Sequence, residues 1–192
     1  MRILLTTSAA PYFTPFFTTE KRPPLGLGFL ISILKKKGHE VFFIDNYLQP
    51  SDFLETDFLT RNKIELIGIY ADTICFHDTL RMIYKLARLR ARNKWNGKIV
   101  IGGPHPTEMP QELLPLEIDH IIVGEGERAI LEILDGRNDR IIQAKRITDL
   151  DSLPTPEWDY FVNQPYDFTV NWFQEKPVFP LTITSWFPLI LK

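Results

Sequence analysis

Cysteine is almost missing from this sequence. Cys75 is the only thiol in 192 residues, which excludes an internal disulfide and leaves too few thiolates for a structural zinc site or an iron–sulfur cluster held by this chain alone. Basic excess is missing too. Lys and Arg number 22 against 24 Asp and Glu, a net charge of −2, so no field is set up for a phosphate backbone, and the cluster Arg81 to Arg92 reads as one solvated helix face. Nucleic acid is not expected as a partner. Long apolar runs are also lacking: the start, Met1-Arg2-Ile3-Leu4-Leu5-Thr6, turns polar at once, unlike a signal peptide or a membrane span. No membrane contact is expected, and sparse cysteine suits a reducing cytoplasm. No Ser-, Gly- or Gln-rich tract interrupts a composition that is 44% hydrophobic and 12% aromatic, within the globular range.

What is present alternates. Short apolar runs at Ile3–Thr6, Val41–Ile44, Leu66–Tyr70, Ile99–Ile101 and His120–Val123 are brief, β-branched and bounded by turn residues, as buried parallel strands are. Between them, Leu27, Leu30, Ile31 and Leu34 share one helical face, as do Leu80, Ile83, Tyr84, Ala87 and Ala91. The first of these helices stops at Lys35-Lys36-Lys37-Gly38, with cations against the C-terminal dipole. Ser51 is a candidate cap for a helix carrying Leu54 and Phe58, and Thr107 for one carrying Leu113 and Leu114. A last helix, Arg128 to Leu134, closes at Gly136. The expected fold is α/β: a doubly wound, five-stranded parallel sheet of flavodoxin-like or Rossmann-like type, in the order 2-1-3-4-5, with a proline-rich C-terminal extension. The domain is expected over residues 1–145. Beyond it, 146–192 carries Leu153-Pro154-Thr155-Pro156-Glu157-Trp158 and reads as a linker or an arm across the sheet.

Ligands of open α/β sheets sit beyond the carboxyl ends of the strands, where strand order reverses. The loops expected there are Thr7 to Pro24, long for its kind, and Ala71 to Asp78. The first, with Ser8, Pro11, Tyr12 and then Pro24-Leu25-Gly26-Leu27-Gly28, carries aromatic surface and little charge, which suits a large flat apolar ligand. Gly26 and Gly28 imitate part of a dinucleotide fingerprint, but the pattern is incomplete. Close packing of that helix on the sheet is an equal explanation for them. Gly102-Gly103 before Pro104, His105 and Pro106 lets a ligand approach backbone, or forms a tight turn. Bulk at either glycine would then block the ligand. Gly124-Glu125-Gly126-Glu127 repeats the pattern after the fifth strand. Ligand contact and local capping both remain open for Glu125, and Glu127 can be a simple first-turn acid.

Together these segments resemble the N-terminal cobalamin-binding domain of cobalamin-dependent radical S-adenosylmethionine (SAM) proteins. The resemblance rests on Pro23-Pro24-Leu25-Gly26-Leu27, on Gly38-His39-Glu40-Val41 leading to Asp45, and on Gly68-Ile69 with Ala71-Asp72-Thr73. It continues through Gly102-Gly103-Pro104-His105-Pro106-Thr107, Gly124-Glu125-Gly126-Glu127 and Asp149 to Pro156. It implies that cobalamin (vitamin B12) is the cofactor, with the dimethylbenzimidazole tail buried near Gly102 and Gly103. The wider fold places a Ser-x-Leu element after the third strand. Ala71-Asp72-Thr73 stands there in this chain, and Thr73 is the candidate to replace the serine's hydrogen bond to the tail. The Asp-x-His-x-x-Gly loop that gives a histidine to cobalt is absent between Thr7 and Pro24, which implies a base-off form with no protein histidine on the metal. His39 and His120 are expected to be structural, and His77 and His105 remain possible contacts.

In the family, a strand like Leu181 to Ser185 runs into Cys-x-x-x-Cys-x-x-Cys, which holds the cluster that cleaves S-adenosylmethionine. Here Trp186 to Leu191 follows, so no iron–sulfur cluster is expected in this chain and 146–192 is expected to hold the linker and the truncated start of a radical SAM domain. The leading expectation is a cobalamin-binding module of a methyltransferase-type radical SAM system with no catalytic residue of its own. Alternatives are a subunit acting in trans with a separate radical SAM protein, and a receiver-like, flavodoxin-like or nucleotide-binding domain. Self-association through the apolar tail is a further expectation.

Overall fold

A computed structural model of the chain describes residues 1–8, 23–48, 53–54 and 57–166. Ser51, the linker beyond Tyr166, the segment Leu181 to Ser185 and the tail expected to self-associate lie outside the described residues. Strands β1 (Arg2–Thr7), β2 (Glu40–Ile44), β3 (Leu66–Tyr70), β4 (Lys98–Gly102), β5 (His120–Val123) and β6 (Ile141–Gln143) form one sheet in the order β2-β1-β3-β4-β5-β6. All neighbouring pairs run parallel. The expected sheet of five strands is therefore corrected to six. Ile141-Ile142-Gln143 is too short to carry a period, and it is a strand because the open edge of β5 templates it. Ile121 N–H donates to the Arg140 carbonyl at 2.7 Å and Ala144 N–H to the Val123 carbonyl at 2.9 Å. Ile142 is thereby completely buried.

Helices α1 (Leu25–Lys36) and α5 (Gly126–Leu134) cover one face, and α3 (Phe76–Ala91) belongs to the other. The strands' two-residue period sorts the core. Ile3, Leu5, Leu66, Val100, Ile122 and Ile142 pack with α1 and α5; Leu4, Ile67, Ile69, Ile99, Ile101 and Ile121 pack with Met82, Ile83 and Leu86 of α3. The helix sought around Leu54 and Phe58 is a single turn, α2 (Phe58–Arg61). Thr107 is not a helix cap. It lies inside α4 (Pro104–Glu108), and Leu113 ends a separate 3-10 turn, Pro110–Leu113. Pro104 and Pro106 explain the early start, because proline fits a first helical turn, where no N–H partner is needed.

Residues 150–166 fold back over α1 and β2. Phe161 is fully buried, edge-on to Phe43 at 5.6 Å, Trp158 at 6.1 Å and Tyr166 at 5.7 Å. Gly28 provides its seat. A Cβ there would meet the Phe161 ring at 2.8 Å, and the Glu157 N–H donates to the Gly28 carbonyl at 3.1 Å. Close approach of this arm, rather than of the sheet, is what demands glycine at position 28. Among the described residues no helix is long and apolar enough to cross a membrane.

Candidate functional site

Strand order reverses between β1 and β3, and there the surface opens. A cavity of about 440 Å³ lies between α1 and α5, over the carboxyl-terminal halves of β1, β3, β4 and β5. Leu5, Gly68, Val100, Gly102, Ile122 and Gly124 line it from the sheet, Gly26, Leu27 and Leu30 from α1, and Gly126, Glu127 and Ile130 from α5. A second cavity of about 340 Å³ adjoins it, bounded by Thr7, Ser8, Pro23, Pro24, Leu25, Asp45, Tyr47 and Asp72, and sharing Gly26, Leu27 and Tyr70 with the first. The hollow is carved by missing side chains. Sequence neighbours two apart on this face are Val100 and Gly102, or Leu66 and Gly68; in β3 and β4 a large buried residue is followed two positions on by a glycine that lines the hollow.

The glycines play two different parts. A Cβ on Gly102 would stand 3.6 Å from Ile122 Cβ, an ordinary contact, so its absence serves only the open space. Gly103 has φ +111° and a Cβ there would strike the Ala71 carbonyl oxygen at 2.7 Å. The turn itself therefore requires glycine at 103, and bulk there would disturb the backbone before it blocked any ligand. This corrects the equal weight given to the pair from sequence. Thr107 fixes the rim: its hydroxyl donates to the Gly103 carbonyl at 2.8 Å and accepts the Gly124 N–H at 3.0 Å.

Several polar candidates are committed to structure. Asp45 lines the second cavity, but its Oδ1 accepts from the Thr7 hydroxyl at 2.6 Å and the Tyr47 N–H at 3.0 Å, and its Oδ2 from the Tyr166 hydroxyl at 2.6 Å. Burial and that carboxylate push the Tyr166 phenol upward. Asp72 accepts the Cys75 N–H at 2.7 Å and so holds the start of α3. Glu125 stands at the N-cap of α5 but makes no side-chain capping hydrogen bond; its carboxylate accepts the Ile147 N–H, tying the chain after β6 to the rim. Cys75 is buried, and desolvation followed by the nearby Asp72 charge pushes its thiol up to about 12.

Ser8, Pro24, Leu25, Gly26, Asp45, Asp72, Gly102, Gly103, Gly124, Glu125 and Gly126 are thus gathered along one crevice. Ala71 is buried beneath it, its N–H bonded to the Gly102 carbonyl at 2.9 Å. Thr73, His77 and His105 are not on its walls. Thr73 is exposed, with its hydroxyl 3.3 Å from His105 Nδ1. His105 is buried and stacked on Phe76 at 3.7 Å, and His77 is exposed on α3. His39 and His120 sit at the other end of the sheet, against the chain amine at 3.2 Å and the Asp139 carbonyl at 2.8 Å. Pro11 and Tyr12 lie outside the described residues.

The profile of the B12 binding domain matches residues 19–134, from ahead of α1 to the end of α5. This chain belongs to the B12-binding domain family. The domain is similar to an uncharacterized methyltransferase of Pyrococcus horikoshii, 32% identical over 117 residues that make up 59% of this chain and 24% of that protein. A second uncharacterized methyltransferase, of Synechocystis, is 27% identical over 150 residues, 76% of this chain and 26% of its own length. The chain spans about a quarter of the length of these relatives. Among solved structures, this B12-binding domain resembles the cobalamin-dependent S-adenosylmethionine radical enzyme OxsB with aqua-cobalamin bound, at a TM-score of 0.61 and 18% identity, over 82% of this chain and 24% of that one. It also resembles the radical S-adenosylmethionine methyltransferase TsrM of Kitasatospora setae with cobalamin and an iron–sulfur cluster bound, at a TM-score of 0.55 and 18% identity, over 80% of this chain and 31% of that one. These likenesses establish the fold.

Among the wall residues not singled out as contacts from sequence are Gly68, Leu30, Thr107 and Glu127. Gly68 had a usable signal, since a glycine inside a strand marks a bulge or a close approach. Glu127 had none, because an acid in a first helical turn is ordinary.

Proposed function

We propose that this B12-binding domain holds cobalamin with the lower base off the cobalt, the tail lying between α1 and α5, and presents the corrin face to a radical SAM catalytic unit that supplies the chemistry. The observation that carries the reading is the glycine-cut cavity at the switch point. Its size falls in the range of small-molecule sites, and its walls are mainly apolar. Neither cavity has a Lys or Arg among its described lining residues, which disfavours a nucleotide held by its phosphates. Asp72, which follows β3 where a receiver carries its phosphorylated aspartate, accepts the Cys75 N–H.

The residues present fit the cofactor's tail. Gly68, Gly102 and Gly124 leave the sheet surface bare, Leu5, Leu30, Val100 and Ile122 exclude water, and Thr107 keeps the mouth in shape. Bound cobalamin supplies a cobalt centre able to carry a methyl group, while this chain binds, orients and shields it. What supports a form with no protein imidazole on cobalt is that none of the four histidines lines the described crevice and that the first loop holds none. Residues 146–192 fit a linker leading into a catalytic unit, whether that unit is joined to this chain or comes as a separate subunit.

The test is to incubate the chain with hydroxocobalamin, remove free ligand and reduce the complex to cob(II)alamin. Retained corrinoid should give an electron paramagnetic resonance spectrum without nitrogen superhyperfine splitting. Failure to retain corrinoid overturns the cobalamin reading, and nitrogen splitting overturns the base-off form alone.

A further inference from the structure

Among the described residues lining the crevice, one buried side-chain polar atom has no partner. Glu127, on the first turn of α5, forms part of the cavity wall, and its Oε2 is buried with no hydrogen bond. A buried unpaired carboxyl oxygen costs about 1–3 kcal/mol or more unless a ligand satisfies it. Two neighbouring rim groups are engaged: Thr107 bridges Gly103 and Gly124, and Glu125 accepts the Ile147 N–H. Thr73, the residue expected to bond the tail, turns its hydroxyl to His105 instead.

We propose that Glu127 is the specificity-determining residue of the tail pocket, its carboxyl group hydrogen-bonding the bare ring nitrogen of a heteroaromatic lower base in the place left vacant by Thr73. The inference rests on the cobalamin reading above. A benzimidazole has two ring nitrogens; one is bonded to the ribose, and the other carries a free in-plane lone pair once it leaves the cobalt. That lone pair needs a donor, and a carboxyl group kept protonated is one. Burial, reinforced by the charge of Glu125, raises the Glu127 carboxyl against the weaker opposing effect of its own backbone N–H, and so favours the protonated form. The ligand class selected is a cobamide whose lower base carries such a nitrogen, over one whose lower ligand is a phenol ether.

The experiment compares the affinities of cobalamin and of p-cresolyl cobamide for the full chain and for the variants Glu127→Leu and Glu127→Gln. Thermal midpoints of the ligand-free proteins are read alongside. The wild-type chain should prefer cobalamin. Glu127→Leu should lose about tenfold in cobalamin affinity, the worth of one hydrogen bond of about 1.4 kcal/mol, with p-cresolyl cobamide unchanged or tighter. Glu127→Gln, whose amide can still donate, should keep the preference. Because Leu removes an unpaired buried carboxyl, the ligand-free variant should melt no lower than wild type. Equal loss of both cobamides in Glu127→Leu, or loss of neither, overturns the role of Glu127 and leaves the cobalamin reading standing. A wild-type chain that binds neither cobamide overturns both.

Discussion

The two faces of this sheet are made by the same strands and differ by one residue of register. On the α3 face, Ile67, Ile69, Ile99, Ile101 and Ile121 meet Met82, Ile83 and Leu86 in a filled core. On the α1–α5 face Ile3, Leu66 and Val100 are buried in the same way, and Gly68, Gly102 and Gly124 then line the crevice. Both faces are apolar, so hydrophobicity does not separate the stabilising face from the binding face. Side-chain volume does: Leu4 and a row of isoleucines fill one face, and Gly68 and Gly102 of the strands leave room on the other. The open crevice on this face is the room that the proposed ligand would occupy.

The largest effect expected from breaking this comparison is on the closed face. Ile101 is fully buried there, and Ile101→Ala should cost about 2–5 kcal/mol in chemical denaturation, with cobalamin affinity of the folded fraction nearly unchanged. A comparable loss of affinity would mean that the faces are not independent. Next in size is its neighbour on the open face. Gly102→Val adds a β-branched side chain to a strand position with ordinary backbone, its Cβ at 3.6 Å from Ile122, so the fold should hold while the added methyl groups enter the cavity. A loss of about a hundredfold in cobalamin affinity, near 2.7 kcal/mol, is expected with an undiminished thermal midpoint. Full affinity in a well-folded Gly102→Val would reduce the glycines to chain turns. The paired substitution Gly103→Val is the contrast, because its clash with the Ala71 carbonyl and its positive φ should lower stability first.

Much of this architecture was legible in the sequence, because strand and helix periods are local. The five runs read as strands are all strands, and α1 follows its apolar face; α3 is a helix but buries Thr79, Met82, Ile83 and Leu86, so that of the expected face only Ile83 is buried, and Tyr84 and Ala91 are exposed. β6 escaped because three residues hold no period and its pairing with β5 is tertiary. The arm escaped in part: its prolines announced irregular structure, but its seat on Gly28 was visible only once Phe161 was placed. For the site, the glycines after β4 and β5 were readable as special positions, but whether a turn or open space required each became visible only with the backbone in place, where Gly103 has φ +111° and Gly102 does not. The polar residues were not readable. Whether Asp45, Asp72 and Thr73 face a ligand or a neighbour depends on partners such as Tyr166, the Cys75 N–H and His105, far from them in reach or hidden in loop geometry.

The smallest expected effect separates the carboxylates of the two faces. On the closed side, Asp119 accepts the Ile99 N–H at 2.6 Å and pairs with Arg90, so its charge is answered. On the open side, Glu127 Oε2 has no partner and its carboxyl is raised by burial. The sign follows from which state holds the proton more tightly. With the folded group raised above its unfolded value of about 4.3, the folded chain binds protons more tightly, and the stability this gives is full below that unfolded value. It is lost progressively as pH rises through the raised folded value, and above that the chain gains nothing further from the proton. The ligand-free protein should therefore show a downward component of stability with rising pH, starting in the ordinary carboxylate range. Glu127→Gln, which has no proton to lose there, should remove it, whereas removing a partnered acid on the closed face should not. Urea midpoints measured from pH 4 to pH 8 on wild type and Glu127→Gln read this directly. Parallel profiles for the two proteins would show that Glu127 ionises alike in the folded and unfolded chains, and that the open face holds its acid no differently from water.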